Sequence, residues 1–143
     1  SCHPRSRKRL ESSGVQLDSR VILHEPFGFH DYNCLQMNAF TVVSDSGTLP
    51  EEASFFTSVG HPFPAVCIRT STERPEALDK GIFVLAGIDG ESLIQAVEIA
   101  VTMNRAGDYG MSVPAYIEEK VSAKVVKIIQ SYTGIVNKMV WRK

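Results

Sequence analysis

The 143-residue chain has the pattern of an α/β protein, a Rossmann-like doubly wound parallel sheet. Three observations point there. Short continuous apolar runs rich in β-branched residues recur, of the kind that a parallel sheet buries on both faces. Between them lie stretches whose apolar residues repeat at helical spacing. The segment Val42-Val43-Ser44-Asp45-Ser46-Gly47-Thr48-Leu49-Pro50-Glu51-Glu52-Ala53 runs from a strand into a small-residue loop and then opens a helix. In such a sheet, ligands are expected at the carboxyl ends of the strands.

Ser1-Cys2-His3-Pro4-Arg5 has the character of a loop after a strand, so the sequence is expected to be part of something longer. A helix follows at 5–13, ending near Gly14. A strand is expected at 15–23. The next helix starts near Asp31 and carries Tyr32, Leu35, Ala39 and Phe40 on one face. Strand 40–44 leads into the helix at 49–58, and strands at 64–69 and 82–86 follow as continuous apolar runs. Leu93, Val97, Ala100 and Val101 pattern a helix at 91–104, and 104–116 is loop-like. The last helix is the longest, with Val121, Val125, Ile128, Ile129, Tyr132, Val136, Met139 and Val140 on one face and Gly134 as the point where it can bend. No repeat or low-complexity tract interrupts this order.

Composition narrows the function. With 43% hydrophobic and 22% charged residues the chain can bury a core as one domain. A net charge of -1 argues against an electrostatic hold on nucleic acid or an anionic membrane. No apolar run approaches the roughly 20 residues of a membrane span. The cysteines Cys2, Cys34 and Cys67 are odd in number and irregularly spaced, which suits reduced thiols in the cytoplasm. His24, His30, Cys34, His61 and Cys67 match no zinc spacing, so no metal site is expected. Neither a glycine-rich dinucleotide fingerprint nor a Walker A sequence is present.

Three constellations carry chemistry. In the 46–48 loop, Thr48 is placed to cap the following helix and Glu51 to complete a capping box, with Pro50 in the first turn. The N–H groups of Ser46, Gly47 and that turn, with the helix dipole, then face an anion such as phosphate. Glu52, about 100° around the helix from Glu51, stays free to meet a sugar diol. The plainer alternative is a capped turn with no ligand. In the second constellation, Arg69-Thr70-Ser71-Thr72-Glu73-Arg74-Pro75-Glu76, Arg74 can clamp a diphosphate; a solvated turn with internal ion pairs is its alternative. The third is His3-Pro4-Arg5-Ser6-Arg7-Lys8-Arg9, whose basic face is otherwise only solvated.

Together, His3-Pro4-Arg5, Phe27-Gly28-Phe29-His30-Asp31-Tyr32, Leu35-Gln36-Met37-Asn38-Ala39-Phe40, Ser44-Asp45-Ser46-Gly47-Thr48 with Glu51-Glu52-Ala53, and Glu73-Arg74-Pro75-Glu76 resemble the C-terminal half of the non-hydrolysing UDP-N-acetylglucosamine 2-epimerase family. The ordered series is far more specific than any one motif. The resemblance implies a glycosyltransferase-B architecture of two Rossmann-like domains. Residues 1–120 would form the second, UDP-binding domain without its first strand, and 121–143 a helix crossing back to the N-terminal domain. It further implies that Ser46, Gly47 and the Thr48 backbone hold the diphosphate, Glu52 the ribose hydroxyls, Arg74 the phosphates, Tyr32 the uracil region, and His3 the reacting end near the leaving group.

The activity so implied is C2 epimerisation of a UDP-N-acetylhexosamine for surface polysaccharide precursors, by elimination of UDP to a 2-acetamidoglycal and re-addition. No nicotinamide, metal or other cofactor takes part, and the acid and base carboxylates belong to the N-terminal domain. A cytoplasmic homodimer is implied for the full-length protein. Two departures stand out: Thr48 replaces a second glycine, and 55–64 is longer than the pattern. Thr48, Leu-Gln-Met-Asn-Ala-Phe and the Ser131-Tyr132, Val136-Asn137, Val140-Trp141 series are similar to the branch that forms UDP-N-acetyl-L-fucosamine. A non-catalytic nucleotide-sugar binding module and a glycosyltransferase domain are the alternatives, because a fold does not by itself imply catalysis.

Overall fold

The computed structural model describes Cys2 and residues 4–143. In chain order the elements are α1 (Pro4–Ser13), α2 (Phe29–Asn38), β1 (Val42–Ser44), α3 (Leu49–Ser58), β2 (Ala65–Cys67), α4 (Pro75–Asp79), β3 (Val84–Leu85), α5 (Gly90–Arg105), a 3₁₀ turn (Pro114–Tyr116) and α6 (Val121–Met139). The strands pair in parallel in the order β1-β2-β3, with Val42 opposite Ala65 and Val66 opposite Val84. Backbone bonds lengthen the ladder beyond the strands: Val42 N–H donates to Pro64 O (2.8 Å), Ile68 N–H to Ser44 O (3.0 Å) and Ala86 N–H to Cys67 O (2.9 Å).

Side-chain alternation on β2 divides the core in two. Ala65 and Cys67 pack on one face with Leu49, Ala53 and Phe56 of α3 and Ala77 of α4. Val66 packs on the other with Ala96 and Ala100 of α5. Asp89 caps α5, its carboxylate accepting from Ser92 N–H (3.0 Å), which holds the carboxyl below its ordinary range. This is the doubly covered parallel sheet that the apolar runs predict.

Four expectations need correction. Residues 15–23 form no strand: Asp18 folds them into a turn, accepting from Arg20 N–H and pairing with the Arg20 guanidinium (both 2.9 Å), and Val15 and Ile22 stay exposed. Helix α2 begins at Phe29 and its one buried residue is Gln36, not the apolar set; Phe40 lies beyond its end, beneath Arg105 (5.3 Å from guanidinium to ring centre). Pro75 and Glu76, expected within the polar 69–76 turn, instead open the short helix α4, for which Pro75 at the first position supplies the fixed φ. Gly134 does not interrupt α6, and no residue of α6 is buried.

Candidate functional site

Strand β1 ends in a loop that its own hydroxyls hold in shape. Ser44 Oγ accepts from Ser46 N–H (3.1 Å), and Ser46 Oγ accepts from Thr48 N–H (3.3 Å). Beneath the loop, Leu49 and Pro50 are buried, which anchors the first turn of α3 in the core. The leading N–H groups of α3 have no carbonyl one turn behind them within the helix, so the positive end of its dipole lies at residues 46–48.

The capping box is not formed. Thr48 already has helical angles (φ -87°, ψ -15°) and makes no side-chain cap. Its hydroxyl instead donates forward to Glu52 Oε1 (2.7 Å). Glu51 is drawn away by Arg74, whose Nε and Nη2 approach Glu51 Oε1 at 2.6 and 2.5 Å. A guanidinium outcompetes a single backbone N–H for a carboxylate. Glu52 is not free either, for Gln36 Nε2 donates to its other oxygen (2.6 Å).

The loop after β2 meets the loop after β1. Arg69 pairs with Glu73 (2.8 Å), the internal ion pair that a solvated turn would make. This pair nevertheless leans over Gly47: a Cβ there would lie 3.1 Å from Glu73 Oε2 and 3.6 Å from Arg69 Nη1. A side chain there would push the Arg69–Glu73 pair outward by a few tenths of an ångström. Arg74 stands before α4, its backbone N–H donating to Thr72 Oγ1 (3.0 Å); its guanidinium reaches Glu51 of α3 through Nε and holds its own loop through Nη1, which donates to Glu73 O (3.0 Å). Glu73 raises the Arg69 guanidinium above its ordinary value and Arg69 lowers the Glu73 carboxyl; Glu51 raises Arg74. Two carboxylate-paired arginines therefore stand here, Arg69 beside Gly47 and Arg74 at the first turn of α3. Arg69 was missed in the sequence, although its place directly after an apolar strand was a usable signal.

Beside them opens a pocket of about 400 Å³ between α2 and β1, lined by Tyr32, Leu35, Gln36, Val43, Asp45 and others. Burial, and next the Glu52 carboxylate, push the Tyr32 phenol above its ordinary value, so it is neutral at pH 7. The structure thus brings Gln36, Ser46, Gly47, Thr48, Glu52 and Arg74 into one region, with Tyr32 at its pocket. Arg5 and Arg9 of α1 border a second cleft with Asp45 and Ser46, so the basic helix faces the same loop. His3 lies outside the described residues. Among the described residues no three His, Cys, Asp or Glu side chains gather to hold a metal, and no helix is long and apolar enough to cross a membrane.

Comparison with known proteins places the chain in a family. Residues 1–130 match the family model described as UDP-N-acetylglucosamine 2-epimerase. A curated relative of that name from Methanocaldococcus jannaschii is 34% identical over 109 residues, which are 73% of this chain and 28% of the relative. The solved UDP-N-acetylglucosamine 2-epimerase from Rickettsia bellii superposes with a TM-score of 0.84 at 38% identity, over 99% of this chain and 38% of that one. A crystal structure of the M. jannaschii UDP-GlcNAc 2-epimerase in complex with UDP-GlcNAc and UDP gives a TM-score of 0.75 at 30% identity, over 92% and 34%. The chain thus spans less than two-fifths of the length of these relatives. With a matching parallel sheet and most of its length inside the family model, the chain belongs to the UDP-N-acetylglucosamine 2-epimerase family.

Proposed function

We propose that this chain is the UDP-binding part of a UDP-N-acetylhexosamine 2-epimerase. The observation that carries the reading is the convergence of two loops: the N-terminus of α3 at residues 46–48 and the arginines after β2, with Arg74 bonded to the helix that the first loop opens. In the elimination step a base removes the C2 proton, the C1–C2 double bond of a 2-acetamidoglycal forms, and the C1–O electron pair leaves with UDP. Re-addition of UDP oxygen at C1, with a proton delivered to the opposite face of C2, completes the inversion. Negative charge grows on the diphosphate as C1–O breaks. The N–H groups of Gly47 and, after exchanging Ser46 Oγ for phosphate, of Thr48, with the Arg74 side chain after exchanging Glu51 for phosphate, stabilise that charge more in the transition state than before it.

Glu52 receives the ribose hydroxyls, since a carboxylate beside a diphosphate is repelled by it and attracted by a diol. Tyr32 borders the uracil region, and His3 is assigned to the reacting end. The acid and base carboxylates belong to another part of such an enzyme. Residues 1–120 act as the nucleotide domain and 121–143 as a helix that packs elsewhere, a division supported by the full exposure of α6.

The test uses the intact protein with UDP-N-acetylglucosamine and the L-talose derivative in deuterated water. Deuterium should enter C2 of one of them, and Arg74→Ala should weaken UDP binding by about tenfold or more, the scale of one hydrogen bond to a charged group. UDP binding without exchange on either sugar would make the protein a binding module. Unchanged UDP affinity in Arg74→Ala would remove the phosphate clamp.

A further inference from the structure

Gln36 is an odd residue for its place. It falls on the apolar stripe of α2, is only 2% exposed, and is the one buried residue of that helix. Its Oε1 is buried with no hydrogen-bond partner among the described residues. A leucine or methionine would fill the position without stranding a carbonyl, and an orphaned acceptor is a cost to folding. What the amide does provide is a short bond from Nε2 to Glu52 Oε2 (2.6 Å), with the Tyr32 phenol as its other polar neighbour.

Glu52 is held from both sides. Gln36 occupies one carboxylate oxygen and the Thr48 hydroxyl the other, at 2.6 and 2.7 Å. A carboxylate has about four acceptor positions, two on each oxygen. One position per oxygen remains, on a carboxylate that the two bonds keep from turning. Two adjacent hydroxyl donors are the group that matches such a pair.

We propose that Gln36 is a positioning residue which, with Thr48, fixes the Glu52 carboxylate as a two-point acceptor for the cis-diol of a ribonucleotide and so makes the site discriminate ribose from 2′-deoxyribose. The inference rests on the assignment of Glu52 to the ribose. Unclamped, Glu52 can still approach one hydroxyl, but it turns freely and gains little from the second. A ligand lacking the 2′-hydroxyl never uses the second acceptor position, so its affinity is insensitive to the clamp.

The experiment measures binding of UDP and 2′-deoxy-UDP to the intact protein and to its Gln36→Met, Thr48→Val and Glu52→Gln variants, with urea unfolding of each. Wild type should prefer UDP by about tenfold or more, the scale of one hydrogen bond to a charged group. Gln36→Met and Thr48→Val should each reduce the preference to within about threefold, mainly by weakening UDP, and Gln36→Met should be no less stable than wild type. Thr48 is exposed, so Thr48→Val repeats the test without disturbing the core. A merely structural role predicts lower stability with both ligands weakened equally, and that result would overturn the proposal. So would a preference that disappears in Glu52→Gln but survives in Gln36→Met and Thr48→Val. No preference in wild type would instead remove the Glu52 assignment, and the clamp with it.

Discussion

Removing the Ser54 hydroxyl should cost far more than its size suggests. Ser54 is fully buried on α3, and its Oγ accepts from Val113 N–H at 2.8 Å, tying the helix to the loop before the 3₁₀ turn. Ser54→Ala deletes one oxygen, so the cavity left is small. Val113, a residue only 6% exposed, is then left with a buried N–H that has lost its acceptor. An orphaned buried donor costs about 1–3 kcal/mol, so about 2 kcal/mol is expected. For a chain of this size that corresponds to a fall in Tm of about 4–8 °C. Thr57 supplies the internal control: on the same helix, its hydroxyl only donates back to Ala53 O (2.9 Å), a carbonyl that helical geometry also pairs. Thr57→Ala should cost less than about 0.5 kcal/mol, since alanine is the better helix former. Urea unfolding reads both, with the slope m unchanged for each. Equal losses in the two variants, or Ser54→Ala within about 0.5 kcal/mol of wild type, would refute the reasoning from the stranded N–H.

Gly110 has φ +69°, and a Cβ there would sit 2.5 Å from Gly81 O and 2.6 Å from Lys80 O, whereas at Gly107 (φ +84°) it would meet nothing. Gly107→Ala should therefore show only left-handed strain, about 1–2 kcal/mol, and Gly110→Ala clearly more, measured by the same unfolding curves. Acid should act through Asp89 and Glu73, whose carboxyls are lowered from ordinary values of 3.8 and 4.5 by the Ser92 N–H and by Arg69. A folded-state pKa below the unfolded one gives stability that is complete above the unfolded value and lost as pH falls through the folded one. The stability gap between wild type and an Asp89→Ala, Glu73→Gln double variant should thus be constant above about pH 6 and close below pH 4.5. Parallel curves down to full acid unfolding would contradict it.

The parallel sheet was legible because its strands are short apolar runs that must alternate into two cores, and Ala65, Val66 and Cys67 do so residue by residue. Residues 15–23 misled because apolar residues alone do not make a strand: the Asp18 turn satisfies the backbone locally, and no described strand pairs with the segment. The place of the 46–48 loop, between a strand and a helix, was readable from its small residues and the helix after it. The roles of its carboxylates were not. Local rules assign Glu51 to the helix cap, but Arg74 arrives from a distant part of the sequence and takes it, and Thr48 then turns to Glu52. Competition between a local and a long-range partner is invisible along the chain. Gln36 did leave a trace, as the one polar residue at helical spacing between Tyr32 and Ala39.

Every rung of the sheet joins residues separated by a whole helix and its two loops, because all three strands run parallel. Such a sheet has no hairpin from which to start, and each pairing must first overcome the entropy of closing a long loop. The pairing of β1 with β2 becomes favourable only when α3 lies against Ala65 and Cys67, since that contact returns the free energy the closure consumes. The shape of the 46–48 loop is then fixed in the same event that assembles the sheet. A kinetic intermediate with the helices formed and β1 unpaired should have no organised anion loop, so the return of nucleotide binding during refolding should keep time with sheet formation and lag behind helix formation.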